Sequence, residues 1–496
     1  MPAPYFDYHA LLPELILTGT IVAVLLADLV FEEREKWATS TIAGIGMLAA
    51  MVPVLTLAGD GADRTMFGGA YVVDNYALVM KALFLGATYI TLLLSTNYVE
   101  EGDYYQGEFY FLVLSSVLGM TVMASARDLI TIFVALEMIS IPTFMLAGWR
   151  KHDLRSNEGA LKYYLVGVLS SAVMLYGMSI VFGFVGDTRL SEIATFITNG
   201  GGDALFDVAV FFTLVGFAFK ISAVPFHFWA PDTYEGAPTP VTAFLSVASK
   251  AGGFVALLSI VYFGFFAREA SWQPILWLLA AASMTLGNLV AIRQTNIVRM
   301  LAYSSIAQGG FILVPFAVAN QGPQPIDAAF SATVVYLLIY SAMNLGAFAV
   351  VIAVARKTRS GDIESYAGLF NYAPGLALTM SAFLFSLAGI PPLAGWYAKF
   401  VVFKAVLDAG TTQAVILGVV AAVNSVISLF YYARVAGTMW FRDAPSGVGA
   451  DGEAASGLRV PASLGAAIGL STVLVLAVGA YPQFFARLGE LATLGR

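Results

Sequence analysis

Four ionisable side chains lie well inside long apolar stretches of the sequence. Lys220 follows FFTLVGFAF, Lys250 lies within TPVTAFLSVASKAGGFVALLSIVYF, and Lys399 lies within AGIPPLAGWYAKFVVF. Glu137 lies between apolar turns in DLITIFVALEMISIPTFMLAGW. An ionisable group at the centre of a bilayer costs about 2.5–3.5 kcal/mol on insertion scales, and such groups usually mark functional sites. None of the four is close enough to the end of its stretch to reach water comfortably.

Proton transfer is the chemistry that these residue types support best. A single buried lysine is explained equally well by a salt bridge that locks two helices together. One glutamate cannot match three lysines, however, so at least two of these lysines lack that partner. A buried amine without a counter-ion can bind and release a proton near neutral pH, because burial disfavours its charged form. The set therefore favours proton transfer over a purely structural role.

Two further candidates leave alternatives open. Glu158 and Lys162 are four residues apart, so they share one face of a helix. They form either an ordinary ion pair near the cytoplasmic end or part of a route for proton uptake. His227 follows Lys220 by seven residues, and it either relays protons between lysines or caps a broken helix.

Other polar residues within apolar stretches could order water between the titratable groups, although singly such residues are more often helix-packing contacts. This set comprises Asn288, Tyr303, Ser304, Ser305, Asn344 and Asn424. A second set lies near the ends of apolar stretches and is predicted to be interfacial: Asp28, Lys81, Lys404 and Asp408.

Membrane-spanning helices must position these residues. Of the 496 residues, 59% are apolar and 11% are charged, whereas soluble domains carry about 25% charged residues. The apolar residues fall into blocks of about 20, which is the length needed to cross a hydrocarbon core about 30 Å thick. The predicted fold class is an all-α polytopic membrane protein with about fourteen transmembrane helices. The predicted spans are 10–31, 38–58, 75–97, 109–126, 128–149, 158–186, 204–228, 239–266, 272–292, 297–318, 326–355, 374–405, 412–441 and 460–485.

The basic residues support this count, because they alternate between the two sides of the membrane. One side has roughly eleven, namely Arg34, Lys36, Arg150, Lys151, Arg155, Arg293, Arg356, Lys357, Arg359, Arg442 and Arg459. The other has six: Arg64, Arg127, Arg189, Arg268, Arg487 and Arg496. The richer side is predicted to be cytoplasmic, so both termini are expected outside the cytoplasm. The start MPAPYFDYHALLPEL lacks a basic region, so the first helix is expected to be retained.

Two of the spans are interrupted. Pro225 lies within the last two turns of the seventh span, and Gly389, Pro391, Pro392 and Gly395 lie in the middle of the twelfth. A simple proline kink would explain either span alone. Two breaks five spans apart, each with a lysine within two turns, instead indicate inverted repeats.

The expected organisation is therefore a single membrane domain over 1–496. It begins with a three-helix segment (1–108) and ends with a loop and a helix (442–496). Between them lie two inverted five-helix repeats, with predicted helices 4–8 in 109–266 and predicted helices 9–13 in 267–441. Predicted helices 7 and 12 are discontinuous. The loop after Phe441, RDAPSGVGADGEAASG, is predicted to be flexible.

Several redox and nucleotide sites are excluded by composition. The chain has no cysteine, which excludes cysteine-ligated iron–sulfur clusters, c-type haem attachment and disulfides within it. Its three histidines are His9, His152 and His227, and only His227 lies near the depth that a haem would need. No G-x-G-x-x-G or P-loop pattern occurs. If the protein serves a redox-driven or ATP-driven machine, another chain handles the fuel.

Three motifs carry a family resemblance that covers essentially the whole chain. The stretch FKISAVPFHFWAPDTYEGAPTPVTAFLSVASKAGG (219–253) resembles the signature of the antiporter-like subunits of proton-pumping NADH:quinone oxidoreductase, respiratory complex I. So do LAYSSIAQGG (301–310) and LAGIPPLAGWYAKF (387–400). The chain is most similar to the bacterial subunit N (subunit 2) type, as three features indicate. The twelfth span carries Lys399, no long lateral helix is expected after span fourteen, and the sequence includes EGAPTPVTAFLSVASKAGG.

The resemblance implies roles for individual residues, because Glu137, Lys162, Lys220, His227, Lys250 and Lys399 fall on matching positions. Glu137 would pair with Lys220 and modulate its proton affinity. Lys250 would be the central carrier, fed through water and His227, and Lys399 would pass the proton onward. No residue of this chain is expected to bind a cofactor or metal.

The resemblance also implies what surrounds the chain. NADH, FMN, iron–sulfur clusters and quinone are expected to bind to partner subunits. The chain itself is expected in a bacterial inner membrane, beside other subunits of the membrane arm. Two alternatives remain open, namely a subunit of a multisubunit cation/proton antiporter and a purely architectural membrane subunit with static ion pairs.

Overall fold

The computed structural model describes residues 6–32, 35–102, 106–321, 326–444 and 460–492. Within these ranges, eleven helical stretches are long and apolar enough to cross a membrane. The chain is a helical, multi-pass membrane protein, which confirms the predicted fold class. Each predicted span overlaps one helix or a run of helical segments, while the count of fourteen crossings and the repeats stay predictions. Arg34, Arg459, Arg496 and most of the predicted flexible loop lie outside the described residues.

The helices are numbered in chain order. The first seven are α1 (Leu12–Val30), α2 (Trp37–Asp60), α3 (Asn75–Glu101), α4 (Gln106–Ser125), α5 (Leu129–Ala147), α6 (Leu154–Val185) and α7 (Leu190–Thr198). The next seven are α8 (Ala204–Lys220), α9 (Trp229–Gly236), α10 (Thr239–Phe244), α11 (Lys250–Ser259), α12 (Glu269–Ala291), α13 (Ile297–Ala317) and α14 (Ile326–Thr358). The last six are α15 (Leu369–Tyr372), α16 (Pro374–Ala388), α17 (Gly395–Ala409), α18 (Thr412–Phe441), α19 (Ala462–Ala480) and α20 (Gln483–Leu491). A short antiparallel hairpin, β1 (Arg64–Met66) and β2 (Tyr71–Val73), lies between α2 and α3.

Side-chain caps set where several of these helices begin. Asp128 accepts hydrogen bonds from the backbone N–H groups of Ile130 and Thr131 at the start of α5. Asn296 does the same for the first turn of α13, and Asp203 for that of α8. Such caps satisfy N–H groups that have no partner within the helix, so they fix the register of the apolar segments that follow.

Helices α13 and α14 form the centre of the bundle. Almost every side chain of α13 is buried, including its polar ones, and the most apolar part of α14 is wholly buried within the chain. A helix that is apolar on all faces must be surrounded by protein or lipid. In this chain it is surrounded by protein, so the polar side chains of α13 face other helices rather than lipid.

The two interrupted spans are broken as predicted. Helix α8 ends at Lys220 and the chain becomes helical again at Trp229, whereas α16 ends at Ala388 and α17 begins at Gly395. Gly389 adopts a left-handed conformation, with φ of 93°, which glycine tolerates without steric cost. Backbone groups released by the breaks are partly satisfied by side chains: the Val224 N–H donates to Ser283 Oγ at 2.9 Å. Broken backbone of this kind persists at membrane depth only where protein or a wet cavity faces it.

The helix that carries Lys250 contains two segments of wider winding that the sequence did not indicate. The π-helical segments are Leu245–Ser249 and Ile260–Phe265, and they flank α11 on both sides. Single-turn π segments inside α-helices occur frequently at functional sites. Lys250 therefore lies at a change of helical register.

Lys81, which was predicted to be interfacial, is buried within the protein and not exposed at the end of its helix. Its side chain is fully buried, and its Nζ lies 2.9 Å from Glu14 Oε1 and 3.1 Å from the Tyr71 hydroxyl. Sequence position suggested an interface because Lys81 is only seven residues into α3. Helix α1 and the β hairpin cover that end of α3. Lys404 and Asp408, by contrast, form a more exposed ion pair in the last turns of α17.

Candidate functional site

Lys220 lies at the last residue of α8, immediately before the first break. Its side chain is buried, and its Nζ donates to Ser140 Oγ at 3.0 Å and to the Tyr163 hydroxyl oxygen at 3.3 Å. The Tyr163 hydroxyl also shares a hydrogen bond with Thr143 Oγ1 at 3.1 Å. Helices α5 and α6 thus offer Lys220 a set of hydroxyl groups, each of which can donate and accept a proton.

Glu137 lies on α5 but does not form an ion pair with Lys220. Ser171 Oγ donates to Glu137 Oε1 at 2.6 Å, and no contact within 4.0 Å joins the Glu137 carboxylate to the Lys220 ammonium. Glu137 is half-buried and shares its stripe of α5 with the exposed side chains of Val134 and Ile141. The carboxylate is therefore only partly enclosed by this chain.

Lys250 begins α11 and is buried on all sides. Its Nζ donates to the backbone oxygen of Ser305 at 2.8 Å and to Ser305 Oγ at 2.5 Å. Ser305 lies on α13, the buried central helix, so Lys250 joins the α10–α11 helix to α13 through this pair of bonds. Asn344 Nδ2 donates to Ser246 Oγ at 2.8 Å one turn before Lys250, which adds a polar contact from α14.

Lys399 lies in the second turn of α17, just after the second break. Its Nζ donates to the backbone oxygen of Ala388 at 2.7 Å, the last residue of α16. The ammonium also lies 4.7 Å from the centre of the Phe311 ring, within the range of a cation–π contact. The break in the twelfth span thus supplies the carbonyl that binds this lysine.

A chain of polar side chains begins at Ser304, the neighbour of Ser305 on α13, and extends to the end of α16 that also binds Lys399. Ser304 Oγ and the Tyr432 hydroxyl are 2.5 Å apart, and Gln308 Nε2 lies 3.4 Å from the same hydroxyl. Gln308 Nε2 also donates to the backbone oxygen of Leu387 at 3.0 Å, and the Tyr336 hydroxyl donates to Gln308 Oε1 at 2.5 Å. All four side chains are buried.

His227 and Lys162 lie away from this row. His227 is half-buried in the first break, and its Nδ1 has no hydrogen-bond partner in the part of the chain that the structure describes. Lys162 Nζ lies 2.6 Å from both Glu158 and Asp232. The structure therefore contains the helix ion pair expected for Glu158 and Lys162 and adds a third member to it.

Asp232 is the centre of a larger ionic cluster. Arg299 Nη1 lies 2.8 Å from Asp232 and 2.8 Å from Glu235. Burial raises the pKa of Asp232, but the hydrogen bonds from Lys162 and Arg299 outweigh it and hold the pKa below its usual range. The cluster borders a cavity of about 260 Å³, which leaves room for water beside these charges.

Several residues of the site were missed from the sequence. Ser140 and Tyr163 bind Lys220, and Gln308, Tyr336 and Tyr432 connect α13, α14 and α18. The signal for Gln308 was present, because it is a polar residue inside a long apolar stretch. Tyrosine and serine give a weaker signal, since both are common in membrane helices.

Of the polar residues expected to order water, Asn288 and Asn424 instead bind each other. Asn288 Nδ2 donates to Asn424 Oδ1 at 3.1 Å, and the Tyr431 hydroxyl donates to Asn288 Oδ1 at 2.9 Å. These bonds join α12 to α18, so the pair acts as a packing contact between helices.

No group of three or more potential ligands among the described residues could hold a metal ion.

Comparisons with known proteins place the chain among redox-linked and antiporter membrane proteins. A family model described as NADH:quinone oxidoreductase/Mrp antiporter, TM, matches residues 126–425. The NADH-quinone oxidoreductase subunit N of Trichlorobacter lovleyi is 41% identical over 88% of this chain and 88% of its own length. A chain of respiratory complex I from Thermus thermophilus, solved with bound aureothin, is 31% identical, with a TM-score of 0.79 over 96% of this chain and 99% of that one. A chain of the Mrp complex from Dietzia has the same fold at 21% identity, with a TM-score of 0.83 over 98% of this chain and 97% of that one.

Proposed function

Because the chain belongs to the NADH:quinone oxidoreductase/Mrp antiporter family, we propose that it is subunit N of a proton-translocating NADH:quinone oxidoreductase. In this function it moves protons across the membrane through buried lysines, while quinone reduction in other subunits supplies the energy. The relative that is 41% identical carries that subunit's name. NADH, FMN, iron–sulfur clusters and quinone would be bound by partner subunits, since this chain has no cysteine.

One observation carries the proposal: among the described residues, some buried cations have a paired carboxylate and three lysines have none within 4.0 Å. Lys81 pairs with Glu14, and Arg127 pairs with Asp74 at 2.8 Å. In the described ranges, Lys220, Lys250 and Lys399 have no carboxylate within 4.0 Å and bind only hydroxyl groups and backbone carbonyls.

This difference distinguishes cations that stabilise the fold from lysines that can bind and release a proton. Breaking a buried ion pair by removing the charge of one partner costs about 3–5 kcal/mol, so a paired lysine is held in its charged form. A lysine that binds hydroxyls and carbonyls can lose its proton without stranding a carboxylate. Such lysines suit proton transfer, because each must alternate between its charged and neutral forms.

The proposed order follows the row of lysines from α8 to α17. Lys220 exchanges protons through Ser140 and Tyr163, with Glu137 adjusting its proton affinity from α5. Lys250 is the central carrier, and Lys399 passes the proton onward beside the second break.

Two residues outside the row are assigned supporting roles. Lys162 and the cavity beside Asp232 form the point of proton uptake, because charged groups and space for water meet there. His227 relays protons near the first break, where no side chain of the described residues binds its Nδ1.

The same proposal includes the finer topology. The chain crosses a bacterial inner membrane fourteen times, with both termini on the periplasmic side and inverted repeats at 109–266 and 267–441. Neighbouring antiporter-like and small membrane subunits are its partners. The breaks after Lys220 and before Lys399 support the repeat assignment, because a lysine lies beside each.

Inside-out membrane vesicles from cells that carry the chain test the source of energy. NADH oxidation should drive proton uptake, and an inhibitor of the quinone site should abolish it. Proton exchange that is driven only by a sodium gradient, with no response to NADH, would instead assign the chain to a multisubunit cation/proton antiporter. Vesicles from cells that lack the chain serve as the control in both assays.

A further inference from the structure

Gln308 lies between the lysines of the two halves of the chain, and the proposed function gives it no role. Its side chain is 1% exposed, and it faces Tyr336 from α14, Tyr432 from α18 and the end of α16. We propose that Gln308 is a gate that blocks proton transfer between Lys250 and Lys399 until the end of α16 moves. This inference rests on the proposed function, since it assumes that the two lysines carry protons.

The neighbours of Gln308 fix the orientation of its amide group. The backbone oxygen of Leu387 can only accept a hydrogen bond, so the atom 3.0 Å from it must be Nε2. Oε1 then faces the Tyr336 hydroxyl at 2.5 Å, which must donate. The second hydrogen on Nε2 points to the Tyr432 hydroxyl oxygen at 3.4 Å. Both amide hydrogens of Gln308 therefore have acceptors, and Oε1 has a donor.

An amide group held in this way interrupts proton transfer. A hydroxyl or a water molecule passes a proton along by accepting one at the same oxygen that releases another. In a glutamine side chain the donor is the nitrogen and the acceptor is the oxygen, so passage would require an unstable imidic acid. Tyr432 can pass its proton to Ser304, but the group that contacts its hydroxyl from the side of α16 is the amide N–H of Gln308, which cannot reprotonate it. The path is therefore closed in this arrangement.

Burial removes the detour that water would provide. Gln308, Tyr336 and Tyr432 are each at most 1% exposed. Phe311, one turn after Gln308 on the same face of α13, is likewise buried and lies against the ammonium of Lys399. An apolar ring and a fully bonded amide thus separate the Tyr432 hydroxyl from Lys399.

The break before α17 provides a way to open the gate. Leu387 and Ala388 are the last two residues of α16, where backbone carbonyls have no partner within the helix. Gln308 binds the first of these carbonyls and Lys399 binds the second. Movement of this helix end therefore changes the contacts of the gate and of Lys399 together. Once the Leu387 oxygen withdraws, the amide can rotate and water can join Tyr432 to Lys399.

Transfer through the open gate conserves protons. The Lys250 ammonium gives up one proton and becomes a neutral amine. Each hydroxyl or water between the lysines receives one proton and releases one. The neutral amine of Lys399 accepts the last proton and becomes an ammonium.

Two substitutions of Gln308 with opposite expected effects test the gate in inside-out vesicles that contain the intact complex. Gln308→Ser leaves space for water, so the passive decay of a preformed proton gradient should be about tenfold faster, which corresponds to about 1.4 kcal/mol in the barrier. Gln308→Leu fills the space with an apolar group that cannot pass protons, so it should decrease NADH-driven proton uptake without accelerating the decay. Gln294→Ser, in the loop between α12 and α13, should match the unaltered protein. If Gln308→Ser fails to assemble, Gln308→Glu replaces it, because a carboxyl group of the same shape can pass a proton and should also leak.

The outcomes separate the gate from the function on which it rests. Decay that is unchanged in Gln308→Ser, or equally fast in Gln308→Ser and Gln308→Leu, overturns the gate. If the Gln308 variants give one of these results while Lys250→Ala in the same vesicles abolishes proton uptake, then the gate is wrong and the proton path stands. If Lys250→Ala and Lys399→Ala both pump normally, the proton path itself is wrong and the gate is overturned with it.

Discussion

The ion pair between Lys81 and Glu14 gives the sharpest prediction about stability. Lys81 Nζ is 2.9 Å from Glu14 Oε1, and the two side chains are 0% and 9% exposed. Among the described residues, neither carboxylate oxygen of Glu14 has a hydrogen bond that would replace this contact. Lys81→Ala should therefore lower the free energy of unfolding by about 3–5 kcal/mol, because it leaves a buried carboxylate without a partner.

A second variant separates the stranded charge from the loss of packing. Lys81→Met combined with Glu14→Leu removes both charges and keeps similar volumes. Replacing a buried ion pair with apolar groups is often neutral or stabilises a protein by about 1–4 kcal/mol. The double variant should thus be at least as stable as the unaltered chain, and far more stable than Lys81→Ala.

The assay is unfolding of the purified chain in mixed micelles by increasing amounts of sodium dodecyl sulfate, followed by tryptophan fluorescence. Lys404→Ala is the matched control, because the Lys404–Asp408 pair has a 54% exposed lysine and such pairs contribute at most about 1 kcal/mol. Equal losses in Lys81→Ala and Lys404→Ala would refute the reasoning. So would a double variant that is less stable than Lys81→Ala.

Two further predictions concern the packing of the second break and the response to acid. Gly479→Ala should destabilise the chain, because the added Cβ would lie 1.9 Å from the Pro392 backbone oxygen. In the control Gly469→Ala, on the same helix, the added Cβ meets nothing within 4 Å, so the helix should become more stable by up to about 1 kcal/mol. Equal unfolding midpoints of the two variants in the detergent assay would contradict this. A hydrogen bond from Arg189 lowers the pKa of Asp187 from 3.8 to about 2. This contact therefore stabilises the folded chain fully at a pH above the ordinary pKa of Asp187, and its contribution is lost as the pH falls through about 2. The difference in Tm between Arg189→Gln and the unaltered chain should accordingly shrink as the pH falls from about 4 to about 2, and a constant difference would contradict the assignment.

The sequence predicted the elements of this fold well, because lipid imposes a simple pattern on them. Each span must be apolar and about 20 residues long, and proline breaks a helix wherever it lies in the interior. Lys220 and Lys399 were therefore placed correctly beside broken helices. The π-helical segments around Lys250 were not predicted, since no residue type marks the wider turn.

The partners of the lysines could not be predicted in the same way. Ser140 is 80 residues from Lys220, and Ser305 is 55 residues from Lys250, so only helix packing brings them together. Periodicity identifies the buried face of one helix, but it does not identify the helix that covers that face. The pairing of Glu137 with Lys220 that the family resemblance implies is not formed as an ion pair in the structure, where Ser171 donates to Glu137. The proposal keeps only an effect of Glu137 on the proton affinity of Lys220.

Proton uptake by inside-out vesicles that carry Lys250→Ala tests the central claim most directly. Proton uptake per NADH oxidised should fall sharply, because alanine cannot carry the proton that the Lys250 amine receives and releases. Lys404→Ala, which changes an exposed lysine of α17, should pump as well as the unaltered protein. Normal proton uptake per NADH in an assembled complex with Lys250→Ala would contradict the account.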